Sequence, residues 1–245
     1  MIEIKADSDV NFFMLLYEIS KNPNLFSEIR AFLKEYYIIK KERDLIKQAF
    51  NKGDIKNSLK HSSKLKKIYL LNKTSWKKYW NSHLTITKKI NEGLKEELKK
   101  FDISKLRIYS KFFETSMPKS FEAYICIGNT ELVGRGNSFC SNKCVIFPRD
   151  FENFNKDNIK KDFRMLMHEI IHLMHGKLSK NKGFVECLTK AFAPKGLLFD
   201  NKGIDKKSTE YKLAMLIKKA IKSGRNYVEI KNKLVKAYRK QNKKI

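Results

Sequence analysis

"RMLMHEIIHLMHG", residues 164–176, holds three of the chain's five histidines: His168, His172 and His175. A helix advances about 100° per residue, so residues four apart stand nearly above one another, about 6 Å apart along the axis. His168 and His172 therefore share one face, with Glu169 one step round. Phe163, Leu166, Met167, Ile170, Ile171, Leu173 and Met174 occupy the remaining arc. Such a helix buries its apolar arc and presents its imidazoles to a cleft, where two rings grip one small cation. The spacing is H-E-x-x-H, in which paired imidazoles hold zinc and the adjacent carboxylate acts as general base toward water. His168 and His172 are thus candidate metal ligands and Glu169 the candidate catalytic base.

Hydrolytic zinc takes three protein ligands and keeps a fourth position open. His175 projects from the same side of the helix but sits about 10 Å along the axis from His168. A straight helix does not bring both rings within about 2 Å of one ion. Glu186, in "GFVECLTKAF" (183–192), is the only acidic residue between His175 and Asp200. Phe184, Val185, Leu188 and Phe192 flank it, and a carboxylate bound for the interior is costly unless it meets a cation. An antiparallel return of this second helix brings Glu186 over the histidines. Glu186 is therefore favoured over His175 as third ligand, and one Zn²⁺ per chain is the expected cofactor. His175 is left to cap its helix, to support the ligands from behind or to touch substrate. Tyr211, Tyr227 and His175 are the candidates for stabilising a transition-state oxyanion.

The formal net charge is +27, and hydrophobic residues make up 42% of the chain, too many for a disordered polybasic segment. Clustered cations favour nucleic acid through counterion release. Here, however, only eight of the 53 cations are arginine, and the 45 lysines are spread along the whole length. A solvated lysine coat is favoured over a dedicated nucleic-acid surface. No apolar run approaches the roughly 20 residues of a membrane span, and the N-terminus lacks the order of a signal peptide. A cytoplasmic protein with reduced thiols is expected. Cys140 and Cys144 form a C-x3-C pair with no second pair to complete a zinc site.

Along the chain, residues 8–51 read as helical and residues 52–72 carry no decisive period. A long helix is predicted from Thr74 or Ser75 to about Lys100, with Trp76 and Trp80 on one face as core anchors. The runs 105–113, 121–128 and 143–148 are short and rich in β-branched or aromatic residues, and predict strands. The last, "KCVIFP", is expected at a sheet edge, where it pairs with an extended peptide. "GNTELVGRGNSF" (128–139) reads as a loop at the cleft rim. Helices are predicted from about 157, over "FVECLTKAF", and over about 206–222 and 225–241. The fold class is α+β, with a small mixed sheet between N-terminal and C-terminal helical segments. The predicted divisions are 1–73, 74–200 and 201–245.

From about 105 to 195 the chain resembles the glutamate-ligand zincin metallopeptidases (gluzincins), and most nearly the predicted bacterial zinc-dependent proteases of the DUF2268 family. "HEIIH" and the following "FVECLTKAF" carry the likeness; Cys187 departs from the glycine that tends to follow the glutamate there. The resemblance implies a zincin-like core over 74–200. It also implies zinc on His168, His172 and Glu186, Glu169 as base, and a peptide or protein substrate. A lesser likeness, in the cadence of "HEIIHLMHG" and "ECLTKAFAPKGLL", is to the ImmA/IrrE-type regulatory metallopeptidases. The competing reading is a basic nucleic-acid-associated or regulatory protein whose histidine cluster is structural or vestigial.

Overall fold

A computed structural model describes residues 1–22, 26–115, 117–127, 135–138, 142–148, 155–175, 178–201 and 203–242. The chain divides into two compact units, Met1–Lys99 with Ser120–Phe163, and Lys100–Lys119 with Arg164–Ile245. Helices dominate, and among the described residues four strands form one mixed sheet, so the protein is α+β. Among the described residues no helix is long and apolar enough to cross a membrane.

The first unit opens on β1 (Ile2–Lys5), then α1 (Ser8–Lys21), α2 (Ser27–Phe32), α3 (Lys40–Lys52), α4 (Asn57–Lys60) and α5 (Ser63–Lys100). Local chemistry sets these boundaries. Asp7 caps α1 by accepting the Val10 amide at 2.8 Å. Glu42 reaches back to the Ile39 amide at 3.0 Å ahead of α3. Gly53 ends α3 in the left-handed region, with φ 76°, where a Cβ is disfavoured. Along α5, Leu65, Ile68, Trp76, Trp80, Ile90 and Leu94 are buried at helical spacing. The helix starts about three turns before residues 74–75, because Ser62 accepts the Leu65 amide. Asn72, also buried, clamps Lys34 through both its backbone amide and its carbonyl.

The sheet runs in the order β1-β2-β4-β3, with β2 at Phe121–Ile125, β3 at Arg135–Ser138 and β4 at Lys143–Phe147. β1 pairs parallel to β2 and β2 parallel to β4, while β3 pairs antiparallel to β4. Two expectations are corrected here. Lys143–Phe147 is an interior strand, not an edge: all five residues are buried, and residues 144–147 are the apolar run of a strand covered on both sides. The edge beside it is β3, drawn from the stretch read as a rim loop; residues 128–134 and 139 of that stretch lie outside the described residues, as do Cys140 and Gly176.

The second unit contains α6 (Ser104–Phe113), α8 (Lys182–Lys190), a short 3-10 helix (Leu197–Phe199), α9 (Thr209–Lys222) and α10 (Tyr227–Asn242). Between β4 and α8 in sequence runs α7 (Lys156–His175), whose residues from Arg164 onward belong to this unit. A third correction falls on residues 105–113, which are helical and not a strand. Leu106, Tyr109, Phe112 and Phe113 are buried while Ile108 is 47% exposed, a spacing of three to four that outweighs the β-forming composition. The C-terminal helices fall where their period places them, α9 capped by Ser208, which accepts the Tyr211 amide at 3.1 Å.

Trp76 tests the first unit's core. It is 3% exposed, its ring lies 5.5 Å from Phe12, and its indole N–H reaches both the carbonyl and hydroxyl of Ser8. Urea unfolding is expected to show Trp76→Ala losing about 3–5 kcal/mol. Leu70→Ala on the same helix, 59% exposed, is expected to change stability by less than about 0.5 kcal/mol.

Candidate metal centre

Phe163, Leu166, Met167, Ile170, Ile171, Leu173 and Met174 are all buried, as the apolar arc of α7 requires. So are His168, Glu169 and His175, and only His172 is half-buried. α7 is thus covered nearly all round here, and its first two histidines open onto α8 instead of broadly onto solvent.

α8 begins after a loop whose Asn181 accepts the Phe184 amide at 2.9 Å, a side-chain cap that starts the helix in register. Phe184, Cys187 and Leu188 are buried, and Glu186 faces the α7 histidines. His172 Nε2 lies 3.2 Å from His168 Nε2 and 3.0 Å from Glu186 Oε2; His168 Nε2 lies 3.6 Å from Glu186 Oε1. Four-coordinate zinc with bonds near 2.0–2.1 Å sets its ligand atoms about 3.3 Å apart. The observed spacings bracket that edge length, and among the described residues these three form a group that could hold a metal ion. Two imidazoles and one carboxylate fit Zn²⁺ in chemistry as in spacing. The side chain of Glu186 is 42% exposed and that of His172 20%, so one side of the cluster is open to water.

Supporting atoms orient the rings. His168 Nδ1 lies 3.0 Å from the Ala193 carbonyl, which only accepts, so Nδ1 carries a proton and, in the neutral ring, the lone pair falls on Nε2. That carbonyl belongs to a compact turn in which the Leu197 amide donates to Ala191 O at 2.9 Å and Leu198 to Phe192 O at 3.0 Å. Gly196 is required there: a Cβ would lie 2.0 Å from the Ala191 carbonyl oxygen. On α8, the Thr189 hydroxyl oxygen stands 3.3 Å from His172 Nδ1 and 3.1 Å from His175 Nδ1. Lys190 Nζ approaches Glu186 Oε1 at 3.2 Å.

The electrostatics agree with this crowding. Hydrogen bonds from His168 and His172 hold the Glu186 carboxyl far below the ordinary carboxylate range. Burial disfavours charge on His168, but the hydrogen bond to Glu186, the charge of Glu169 and the Ala193 carbonyl outweigh it and raise its pKa. Burial first, and then the neighbouring His172 and His168, lower His175 to about 3. Burial, reinforced by Glu210, pushes the Cys187 thiol up to about 12.

The structure thus brings His168, His172 and Glu186 together and leaves His175 behind them, its ring 6.5 Å from that of His172 and 4.5 Å from Phe113. Glu169 stays buried beside His168 in the chain, and its charge is felt there. Tyr227 is buried against Phe112 and Phe113, its hydroxyl without a hydrogen-bond partner among the described residues. Tyr211 is half-buried and makes no hydrogen bond to the three clustered side chains among the described residues. Thr189 and the Ala193 carbonyl were not anticipated. Thr189 carried a signal, a hydroxyl one helical turn after the expected ligand, whereas a backbone carbonyl carries none.

No family model matches the chain, and no curated protein or solved structure matches it either.

The acid response of the metal-free protein follows from His175. Its unfolded form takes up a proton below about 6.5, while the folded ring resists until about 3. The stability it contributes is fully present above 6.5 and is lost as the pH falls toward 3, at about 1.4 kcal/mol per pH unit. His168, raised, does the reverse: its contribution is present below 6.5 and lost as pH rises through its higher folded value. Glu186, lowered from 4.5, begins to lose its contribution only near and below that value. In chelator-treated protein, urea unfolding from pH 6.5 to 4.5 is expected to show the His175 slope. His175→Phe is expected to flatten it by about that amount.

Proposed function

We propose that the chain is a zinc-dependent peptidase of the gluzincin type. The observation that carries this is the mutual spacing of His168 Nε2, His172 Nε2 and the Glu186 carboxylate, 3.0–3.6 Å, on the H-E-x-x-H helix and the helix after it. The half-exposed Glu186 supports a hydrolytic over a closed structural centre, because a reacting water needs an open side. The order of elements, a mixed sheet followed in the chain by the helix pair α7–α8, also supports this reading.

His168, His172 and Glu186 would hold the ion, which when bound supplies Lewis-acid polarisation of a water and of the scissile carbonyl. Glu169 takes the proton of the attacking water on its carboxylate and hands it to the departing amine nitrogen. Lys190 keeps an ammonium at the open side of Glu186, where it attracts anionic groups of an approaching substrate. The substrate in this reading is a peptide or protein. The competing reading, a basic nucleic-acid-associated protein with a structural or vestigial metal site, draws on the charge of +27.

One set of variants decides. Wild type is expected to bind one zinc per chain, with His172→Ala and Glu186→Ala losing it. Glu169→Gln is expected to keep the metal and to lose hydrolysis of a mixed peptide library by about 10²–10⁴-fold, the scale of a general base. Absence of zinc from the wild type, or full turnover in Glu169→Gln, rejects the peptidase. Retention on DNA that falls steeply with salt, whatever stands at 169, selects the competing reading.

A further inference from the structure

Thr189 lies three residues after Glu186 on α8 and is wholly buried. A threonine hydroxyl inside a helix commonly returns its proton to the carbonyl four residues back and leaves its lone pairs unused. Here Oγ1 donates to Val185 O at 2.9 Å, and two further polar atoms close on the same oxygen, His172 Nδ1 at 3.3 Å and His175 Nδ1 at 3.1 Å. A hydroxyl has one proton and two lone pairs. The Val185 carbonyl only accepts, so the proton goes there, and both imidazoles must then be donors. The accounting at this one atom closes: one bond given, two received.

That closure fixes the chemistry of His172. With Nδ1–H committed to Thr189, the lone pair of the neutral ring sits on Nε2, the atom 3.2 Å from His168 Nε2 and 3.0 Å from Glu186. His175 secures the arrangement from the other side. Its ring is 1% exposed, packed edge-on to Phe113 at 4.5 Å, and its Nε2 has no partner among the described residues. An apolar ring would fill that space without leaving a polar atom bare. What the imidazole offers instead is the Nδ1–H that occupies the hydroxyl's second lone pair and stops it turning its proton toward His172.

We infer that Thr189 is a positioning residue for the His168–His172–Glu186 centre: its hydroxyl, pinned by Val185 and His175, holds His172 in the tautomer and orientation that ligate metal. The inference rests on the metal-site reading above and adds to it a residue that touches neither the ion nor the substrate.

The test is zinc affinity, measured by competition with a chromogenic chelator, in wild type, Thr189→Val, Thr189→Ser and His175→Phe. Each is read at a temperature where circular dichroism shows the metal-free form folded. Valine keeps the shape and removes the hydroxyl; serine keeps the hydroxyl and removes a methyl. Thr189→Val is expected to bind zinc about 10- to 100-fold more weakly, the scale for a group that orients a ligating histidine. Thr189→Ser is expected to stay within about threefold of wild type, and His175→Phe to fall between the two. Wild-type affinity in Thr189→Val overturns the inference, as does a serine variant as weak as the valine one, which would make packing the cause. A wild type that takes up no zinc overturns the metal-site reading itself, and the positioning role with it.

Discussion

Three electron-rich atoms, two imidazole nitrogens and a carboxylate, are packed within 3.0–3.6 Å of one another at the junction of α7 and α8. They repel unless positive charge stands among them. In the metal-free protein that charge is protons, which is why the Glu186 carboxyl is held far down while His168 is raised. A divalent ion would do the same work with more charge and directed bonds, and would have to displace those protons to enter. The cluster is therefore assembled in advance of any cation that enters it.

Such a cluster stays in place because what lies behind it is rigid. The Ala193 carbonyl that sets His168 comes from a turn closed by two backbone hydrogen bonds and by Gly196, where any side chain would strike the Ala191 carbonyl. His172 leans on a threonine of the helix that supplies Glu186, so one element carries both a member of the cluster and the support of another. His175, Phe113, Phe192 and Tyr109 surround this with edge-to-face and tilted ring contacts at 4.5–6.0 Å. The aromatic packing and the polar accounting meet at His175, which belongs to both.

The positions of His168, His172 and Glu186 were legible because helical geometry is regular and a lone carboxylate among apolar residues needs a reason to be there. The long helices were legible for the same reason. What failed was reading composition ahead of period. Residues 105–113 have the residue types of a strand, yet Leu106, Tyr109 and Phe112 recur every three. β1 is four residues long, too short to declare itself, although Ile2 and Ile4 alternate with Glu3 and Lys5 as a half-buried strand should. The interior place of β4 depends on partners distant in sequence, which no local pattern encodes. Thr189 escaped because its importance lies in three partners meeting at one oxygen, a fact of three dimensions.

Cys187, the neighbour of Glu186 in the chain, gives the centre a chemical character of its own. Its sulfur is buried and its thiol keeps its proton to about 12, so no thiolate joins the donors. Nitrogen and oxygen ligands alone favour borderline ions over soft ones. Cuprous ion, which seeks sulfur, finds no anchor here, and an oxidant meets a shielded S–H in place of a reactive nucleophile.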